Sequence, residues 1–269
     1  VKTRLVRDIV PRNVISLPPE APFGEALAIL DERKISFLLV ESDHKPVGVL
    51  TERDIVRLAA GHEVNGQSPL HRVMTSPVHT IRESNDIFEA YEELVTHQIR
   101  HLVVTDEHGN ATGLLTQSDF LANLGIEHFV EPKHLSSIMT RTISTLPPDA
   151  TVQKALDIMA GQLISCVIVA EKGRPVGIWT ERDVPRFLQS RGDPMATFMR
   201  EVMSTPVEIL PESAHLPEVN QLMAEKKIRH VVVVDSRGRL AGLISQSNLT
   251  RGIEEKYISN PLQNPSNFL

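Results

Sequence analysis

A chain of 269 residues, 41% of them hydrophobic, can bury a sizeable core, and its length alone corresponds to one or two domains of about 100 to 200 residues each. Only 4% of the residues are aromatic, so that core must be filled by Val, Ile, Leu, Ala and Met, which suits small units with short strands. The formal net charge of −6, with Lys and Arg dispersed among acids, excludes the basic stripe that a nucleic-acid backbone requires, and no apolar run approaches the ~20 residues of a membrane span.

The first extended segment runs from Val14 to Leu17 and ends at the turn Pro18-Pro19. Phe23, Ala26, Leu27 and Leu30 then fall on one face at helical spacing. Two apolar runs follow, Phe37 to Val40 and Val47 to Leu50, divided by Asp43-His44-Lys45-Pro46, which predicts a hairpin. A closing helix is expected from Thr51 to Ala60, then a polar connector from Gly61 to Pro69. The order begins again with an extended segment at Val78 to Ile81 and a second hairpin with Gly109 in its turn.

The second half repeats the first at an offset of 129 residues without a gap. Thr51-Glu52-Arg53-Asp54 returns as Thr180-Glu181-Arg182-Asp183, Ile99-Arg100-His101 as Ile228-Arg229-His230, and Met74 as Met203. Val152, Ala155, Leu156 and Met159 restate the first helix face, Gly238 stands in the last hairpin turn, and Gly192 to Pro194 is a connector. Cys166, the single cysteine, lies in the apolar run Leu163 to Val169, which excludes an internal disulfide framework and makes a reducing, cytoplasmic compartment the expectation. Within each half, Gly48 and Gly113, and Gly177 and Gly242, are 65 residues apart. The expectation is an α/β (α+β) chain of four β-α-β-β-α units, paired sheet to sheet because one such unit has too little interior to stand alone. The boundaries fall at 1–66, 67–130, 131–195 and 196–258, with 259–269 as a tail. A helix is expected over Leu249 to Ser259, before a proline-punctuated connector.

Each glycine opens a strand that runs into a helix N-terminus: Gly48 to Asp54, Gly113 to Asp119, Gly177 to Asp183 and Gly242 to Asn248. Backbone N–H groups lack partners there and the helix dipole favours negative charge, so an anion is welcome. A cap hydroxyl can bond a phosphate, and a carboxylate three residues on can accept from the two hydroxyls of a ribose. The same spacing is also that of a capping box, in which the two side chains serve only the helix itself. The glycine has two readings as well, close approach of a ligand or an irregularity of the strand. No Gly-rich phosphate loop, nucleophile elbow or metal motif occurs, so no catalytic residue is assigned, and Cys166 reads as core. His101 and His230 have no further ligand at metal spacing beside them, so no metal is assigned either.

Four concordant units, each with a turn after the first strand, an apolar hairpin and this strand-to-helix segment, resemble CBS domains, named for cystathionine β-synthase, and each pair resembles a Bateman module. The likeness runs from about Leu5 to Gly252. It implies clefts that bind AMP, ADP, ATP or S-adenosylmethionine as a regulatory ligand, without cofactor or catalysis, and that pass a conformational change to a partner or output domain. It further implies a homodimer formed through helical faces. Carried over by position, Asp54, Asp119 and Asp183 hold ribose hydroxyls, while Thr51, Thr116, Thr180 and Ser245 face phosphate or the ribose edge. Ser16, Thr80 and Thr145 lie near the base. Arg53 and Arg182 are phosphate contacts or solvated helix-end arginines, and Arg100 and Arg229 reach the same cleft or form surface ion pairs. Asn248 cannot offer a charged acceptor, which makes the fourth cleft the weakest. Two other readings stand beside this one: a structural dimerisation module without ligand, and the sensor part of a longer signalling protein that makes or degrades cyclic dinucleotides. The non-Met start and the polar tail motivate the second.

Overall fold

In the computed structural model, residues 4–62, 65–97, 99–116, 119, 135–190 and 192–249 are described. They form four three-stranded sheets of one topology, in which a short first strand pairs parallel with the second and the second pairs antiparallel with the third. The first unit contains β1 (Ser16–Leu17), α1 (Phe23–Arg33), β2 (Phe37–Ser42), β3 (Lys45–Thr51) and α2 (Glu52–Gly61). The second contains β4 (Thr80–Arg82), α3 (Ile87–Thr96), β5 (His101–Thr105) and β6 (Ala111–Thr116). The third contains β7 (Thr145–Leu146), α4 (Val152–Gln162), β8 (Cys166–Glu171), β9 (Arg174–Thr180) and α5 (Asp183–Gln189). A short α6 (Met199–Val202) precedes β10 (Ile209–Pro211), α7 (Leu216–Lys226), β11 (His230–Val234) and β12 (Leu240–Ser245) of the fourth. The helix expected over Leu249 to Ser259 lies outside the described residues apart from Leu249, as do the tail and most of the second unit's closing helix.

The first hairpin turns on two residues rather than the four expected. Asp43 and His44 both take positive φ, 48° and 62°, so Lys45 and Pro46 already belong to β3. Such paired left-handed residues match the twist of the flanking strands. The third closing helix starts at Asp183, three residues later than expected, because Pro185 has no N–H to give the carbonyl of Glu181.

Phe37 to Val40 are all buried because each sheet is covered on both faces. Leu38, Val40 and Leu50 point to the helices, while Phe37 and Leu39 meet Val103 of the second sheet. Ile168 meets Val232 and Val234 in the same way in the second pair. Strands buried on two faces read as continuous apolar runs rather than alternating ones.

A crossing of chain segments ties each pair together. Val6, Ile9 and Val10, ahead of the first unit, pack into the core of the second with Ile81, Tyr91 and Leu115. Leu70 and Val73, ahead of the second unit, pack into the first, where Thr75 bridges to Val49. Leu135 and Met139 enter the fourth unit, and Met199 enters the third. This explains the repeated glycines. A Cβ on Gly48, Gly177 or Gly242 would stand 2.1, 2.2 or 2.3 Å from the sulfur of Met74, Met203 or Met139, and one on Gly113 would stand 2.6 Å from Val10. The glycine makes room for the crossing segment, which neither sequence reading had proposed.

The two halves meet through helices. α1 packs on α5 and α2 on α4, so that Leu30, Ile55, Leu156, Val184 and Trp179 share one core. Gln189 donates to the carbonyl of Leu27 at 2.8 Å, and Gln153 to that of Ala60 at 3.2 Å. The helical faces of the first and third units therefore cover each other within one chain.

Gly113→Ala should lower stability by about 1–3 kcal/mol, the range for overpacking. The new methyl group would press on the stiff Val10 and, at 2.9 Å, on the carbonyl of Pro11. Gly48→Ala, opposed by a flexible methionine, should cost less. Urea melts of the two variants decide the matter, and an equal loss would refute the packing account.

Candidate functional site

In each strand-to-helix segment the Asp or Asn accepts two bonds from the Thr or Ser three residues before it; Thr51 and Asp54 form a capping box at the start of α2, whereas α5 has Arg182 as its N-cap with no side-chain bond to it. Asp54 Oδ2 accepts from the N–H of Thr51 at 2.9 Å and from its hydroxyl at 2.7 Å. Asp119 does the same with Thr116 at 2.7 and 2.6 Å, and Asp183 with Thr180 at 2.9 and 2.8 Å. Asn248 reproduces the pattern with its amide oxygen, 2.8 and 2.7 Å from Ser245. Burial raises the pKa of Asp119 above the usual carboxylate range, against the pull of its bonds from Thr116. The second oxygen of Asp54 takes the Thr75 hydroxyl at 2.9 Å, and that of Asp183 takes Arg186 at 3.0 Å.

The residues between Thr and Asp have a different task. Glu52 and Glu181 are 1% exposed, and each is held by arginines of the opposite half. Glu181 meets Arg100 at 2.6 Å and Arg53 at 3.5 Å. Glu52 meets Arg229 and, at 3.7 Å, Arg182. The arrangement is reciprocal, as an internal two-fold repeat requires. Six charged side chains thus converge, four guanidinium groups against two carboxylates. Asp54 and Asp183, nearby, are answered by their own Arg57 and Arg186 at 3.6 and 3.0 Å.

Beside these pairs lies a cavity of about 120 Å³ lined by Arg100, Thr116, Arg182, Arg229 and Ser245, together with His101, His230, Ser36, Ser165, Gln246 and Ser247. Ser36 and His101 Nε2 are 2.9 Å apart and bridge the first pair of units; Ser165 and His230 Nε2, 2.7 Å apart, bridge the second. Burial, and after it the facing arginines, push both imidazoles down to a pKa of about 3. The Arg182 guanidinium is also lowered, by burial first and then by Arg229. In all three groups burial is the larger cause, and the neighbouring guanidinium groups add to it.

The structure brings together Arg53, Arg100, Thr116, Arg182, Arg229 and Ser245 around this centre. Thr51, Asp54, Asp119, Thr180, Asp183 and Asn248 stand at the strand-to-helix junctions. Ser16, Thr80 and Thr145 are exposed on the short first strands and line no part of the central cavity. Thr80 lines instead an open cleft of about 1280 Å³ on the second unit. The sequence reading missed Glu52, Glu181, Ser36 and Ser165. The signal was present: each recurs at the 129-residue offset, and the acid after Thr belongs to the first and third units only, where the second and fourth carry Gln117 and Gln246.

A chain of four small sheet-and-helix units, crossed in pairs around a cluster of arginines and glutamates, defines a tandem-repeat α/β protein. The CBS domain family model matches residues 6–61, 70–125, 135–190 and 199–255, and the chain belongs to the CBS-domain family. The matched segments leave no room between them for a catalytic domain. Uncharacterized protein MJ1404 of Methanocaldococcus jannaschii is 24% identical over 266 residues, which cover 93% of this chain but 62% of the relative. MJ1225 of the same organism is 24% identical over 267 residues, 89% of this chain and 95% of its own length. Its crystal structure, that of a protein proposed as an archaeal homologue of g-AMPK, superposes with a TM-score of 0.85 at 23% identity, covering 93% of this chain and all of that one. CBS domain-containing protein YhcV of Bacillus subtilis is 31% identical over 111 residues, 41% of this chain and 79% of the relative. No helix among the described residues is long and apolar enough to cross a membrane.

Two outcomes test the electrostatics. Glu181→Ala leaves Arg53 and Arg100 facing one another; their side chains are 42% and 21% exposed, so the loss in chemical denaturation should fall below the ~3–5 kcal/mol of a fully buried pair, at about 1–3 kcal/mol. A loss below about 1 kcal/mol would mean the pairs are incidental. The histidines have folded pKa values near 3 against 6.5 unfolded, so below pH 6.5 the unfolded chain binds protons that the folded chain does not. Their contribution is therefore constant above pH 6.5 and turns against folding as pH falls toward 3. A His101→Gln, His230→Gln double variant should lose less stability than the parent between pH 7 and pH 5, measured by thermal melts. Parallel curves would contradict the assignment.

Proposed function

We propose that this chain is a regulatory sensor of adenosine nucleotides whose phosphate groups are received at the centre between the halves. The observation that carries the reading is the mismatch of four guanidinium groups against two carboxylates. Each guanidinium has five N–H donors in a fixed fork, so a phosphate can take donors that the glutamates leave over. The cavity of about 120 Å³ that Arg100, Arg182 and Arg229 line is roomy enough to receive a phosphate group. In this reading the sugar is directed toward the strand-to-helix junctions at Asp54 and Asp183. Surplus positive charge favours AMP, ADP or ATP over S-adenosylmethionine, whose sulfonium is itself cationic.

Phosphate arriving at the centre competes with or bridges the Glu52 and Glu181 pairs, which join the halves. Ligand binding is thereby coupled to how the two halves sit on each other, the movement that a partner or output domain would read. Homodimerisation, a cytoplasmic setting and the identity of the output belong to this proposal.

The capping bonds favour a second reading, a structural module in which these aspartates only finish helices. The fourth unit supplies the means to separate the two, since Asn248 makes the same cap bonds without a charge. In the sensor reading, Asp54→Asn and Asp183→Asn keep the melting temperature of the free protein and weaken nucleotide binding at least tenfold. Trp179, the single tryptophan, is buried in the core between the halves and provides a fluorescence readout. AMP, ADP or ATP at about 100 times its dissociation constant should stabilise the chain by roughly 2.7 kcal/mol, with adenosine and S-adenosylmethionine weaker. No shift with any adenine ligand would leave the structural module as the better account.

A further inference from the structure

We propose that the second unit carries a surface site for a divalent transition cation of the zinc type, formed by His79, Glu93 and His97. The nearest donor atoms of these three side chains all lie within 4.8 Å of one another. Glu93 and His97 are one helical turn apart at the C-terminal end of α3, with Oε2 and Nε2 separated by 3.2 Å. His79, immediately before β4, lies across from them, its ring centroid 4.2 Å from that of His97.

The chemistry of the set selects the metal. Two imidazoles and one carboxylate suit zinc and its neighbours, whereas magnesium and calcium prefer oxygen ligands alone. Around an ion with bonds of about 2.0–2.2 Å, tetrahedral ligands stand roughly 3.3 Å apart. The Glu93–His97 pair is already at that distance. Closing the remaining gap asks for a shift of roughly 1.5 Å, within reach of the exposed side chain of His79 by rotation about its own bonds. The negative end of the α3 dipole favours a cation at this place. So does the adjoining cleft, which Glu93 shares with Asp86, Glu89, Glu92, Asp106 and Glu107.

The internal repeat provides a control. The same three positions in the fourth unit hold Glu208, Leu222 and Lys226, and there Lys226 Nζ lies 3.3 Å from Glu208 Oε1 as an ordinary ion pair. The first unit has Val14, Ala28 and Glu32, and the third has Ile143, Asp157 and Gly161. The start of the first strand meets the end of its helix in the third unit too, where Ser144 Oγ donates to Gln162 Oε1 at 2.5 Å, but only the second unit places ligating side chains at all three positions. A bound ion ties β4 to α3 and braces that unit.

Zinc titrated into the full chain, with a chromophoric chelator as competitor, measures the site, and Co²⁺ in its place gives a visible spectrum that reports nitrogen ligands. The expected result is one competitive equivalent of zinc, with at least a tenfold loss of affinity in His97→Ala and in His79→Ala. All three side chains are on the surface, so both variants should melt like the parent without metal; if one does not, Glu93→Gln provides the same comparison. Wild-type chain that fails to compete for zinc, or variants that bind it as tightly as the parent, would overturn the proposal.

Discussion

Two buried carboxylates, each gripped by arginines from the other half of the chain, set the geometry on which the centre depends. Glu52 and Glu181 sit where water does not reach, and an unpaired charge there would be strongly unfavourable. The partners of each come from two units of the opposite half: the helix start of the facing odd-numbered unit and the strand start of the even-numbered unit beside it. The pairs therefore hold only when both halves are folded and correctly placed. Apolar packing of α1 and α2 on α5 and α4 supplies the non-directional part of the association, and the ion pairs fix its register.

The fold was largely legible in the sequence because duplication writes its own evidence. Gaps of 129 and 65 residues gave four units, and helical or extended spacing gave each its order of elements. The crossing of segments was not legible. Val10 and Met74 are ordinary apolar residues, and only their placement against Gly113 and Gly48 shows that each segment completes the neighbouring unit rather than its own. The hairpin turn was read too long because Lys and Pro usually mark loops, whereas Asp43 and His44 suffice once both adopt positive φ.

The candidate site was half legible. Thr, Asp and Arg at the strand-to-helix junction were singled out, yet their division of labour was hidden: Asp closes the cap, and Arg answers a glutamate far away in sequence. Glu52 and Glu181 were assigned no role, because acids in a first helical turn are usually solvated. Their recurrence in alternate units, matched to Arg100 and Arg229 in the intervening ones, is the kind of complementarity that marks a buried contact across a pseudo-two-fold axis. The unit-by-unit differences carry information as well. His79, Glu93 and His97 in the second unit and the uncharged cap Asn248 in the fourth show copies of one scaffold that have diverged in chemistry while the backbone kept its plan.

The claim at the centre of this account is that arginine donors in excess of the buried glutamates receive the phosphate of a nucleotide. A crystal structure of the chain grown with AMP tests it most directly. The account predicts phosphate oxygens within hydrogen-bonding distance of Arg100 or Arg229, with the ribose directed toward a cap aspartate. Nucleotide bound away from these arginines, with all four ion pairs unchanged, would contradict it.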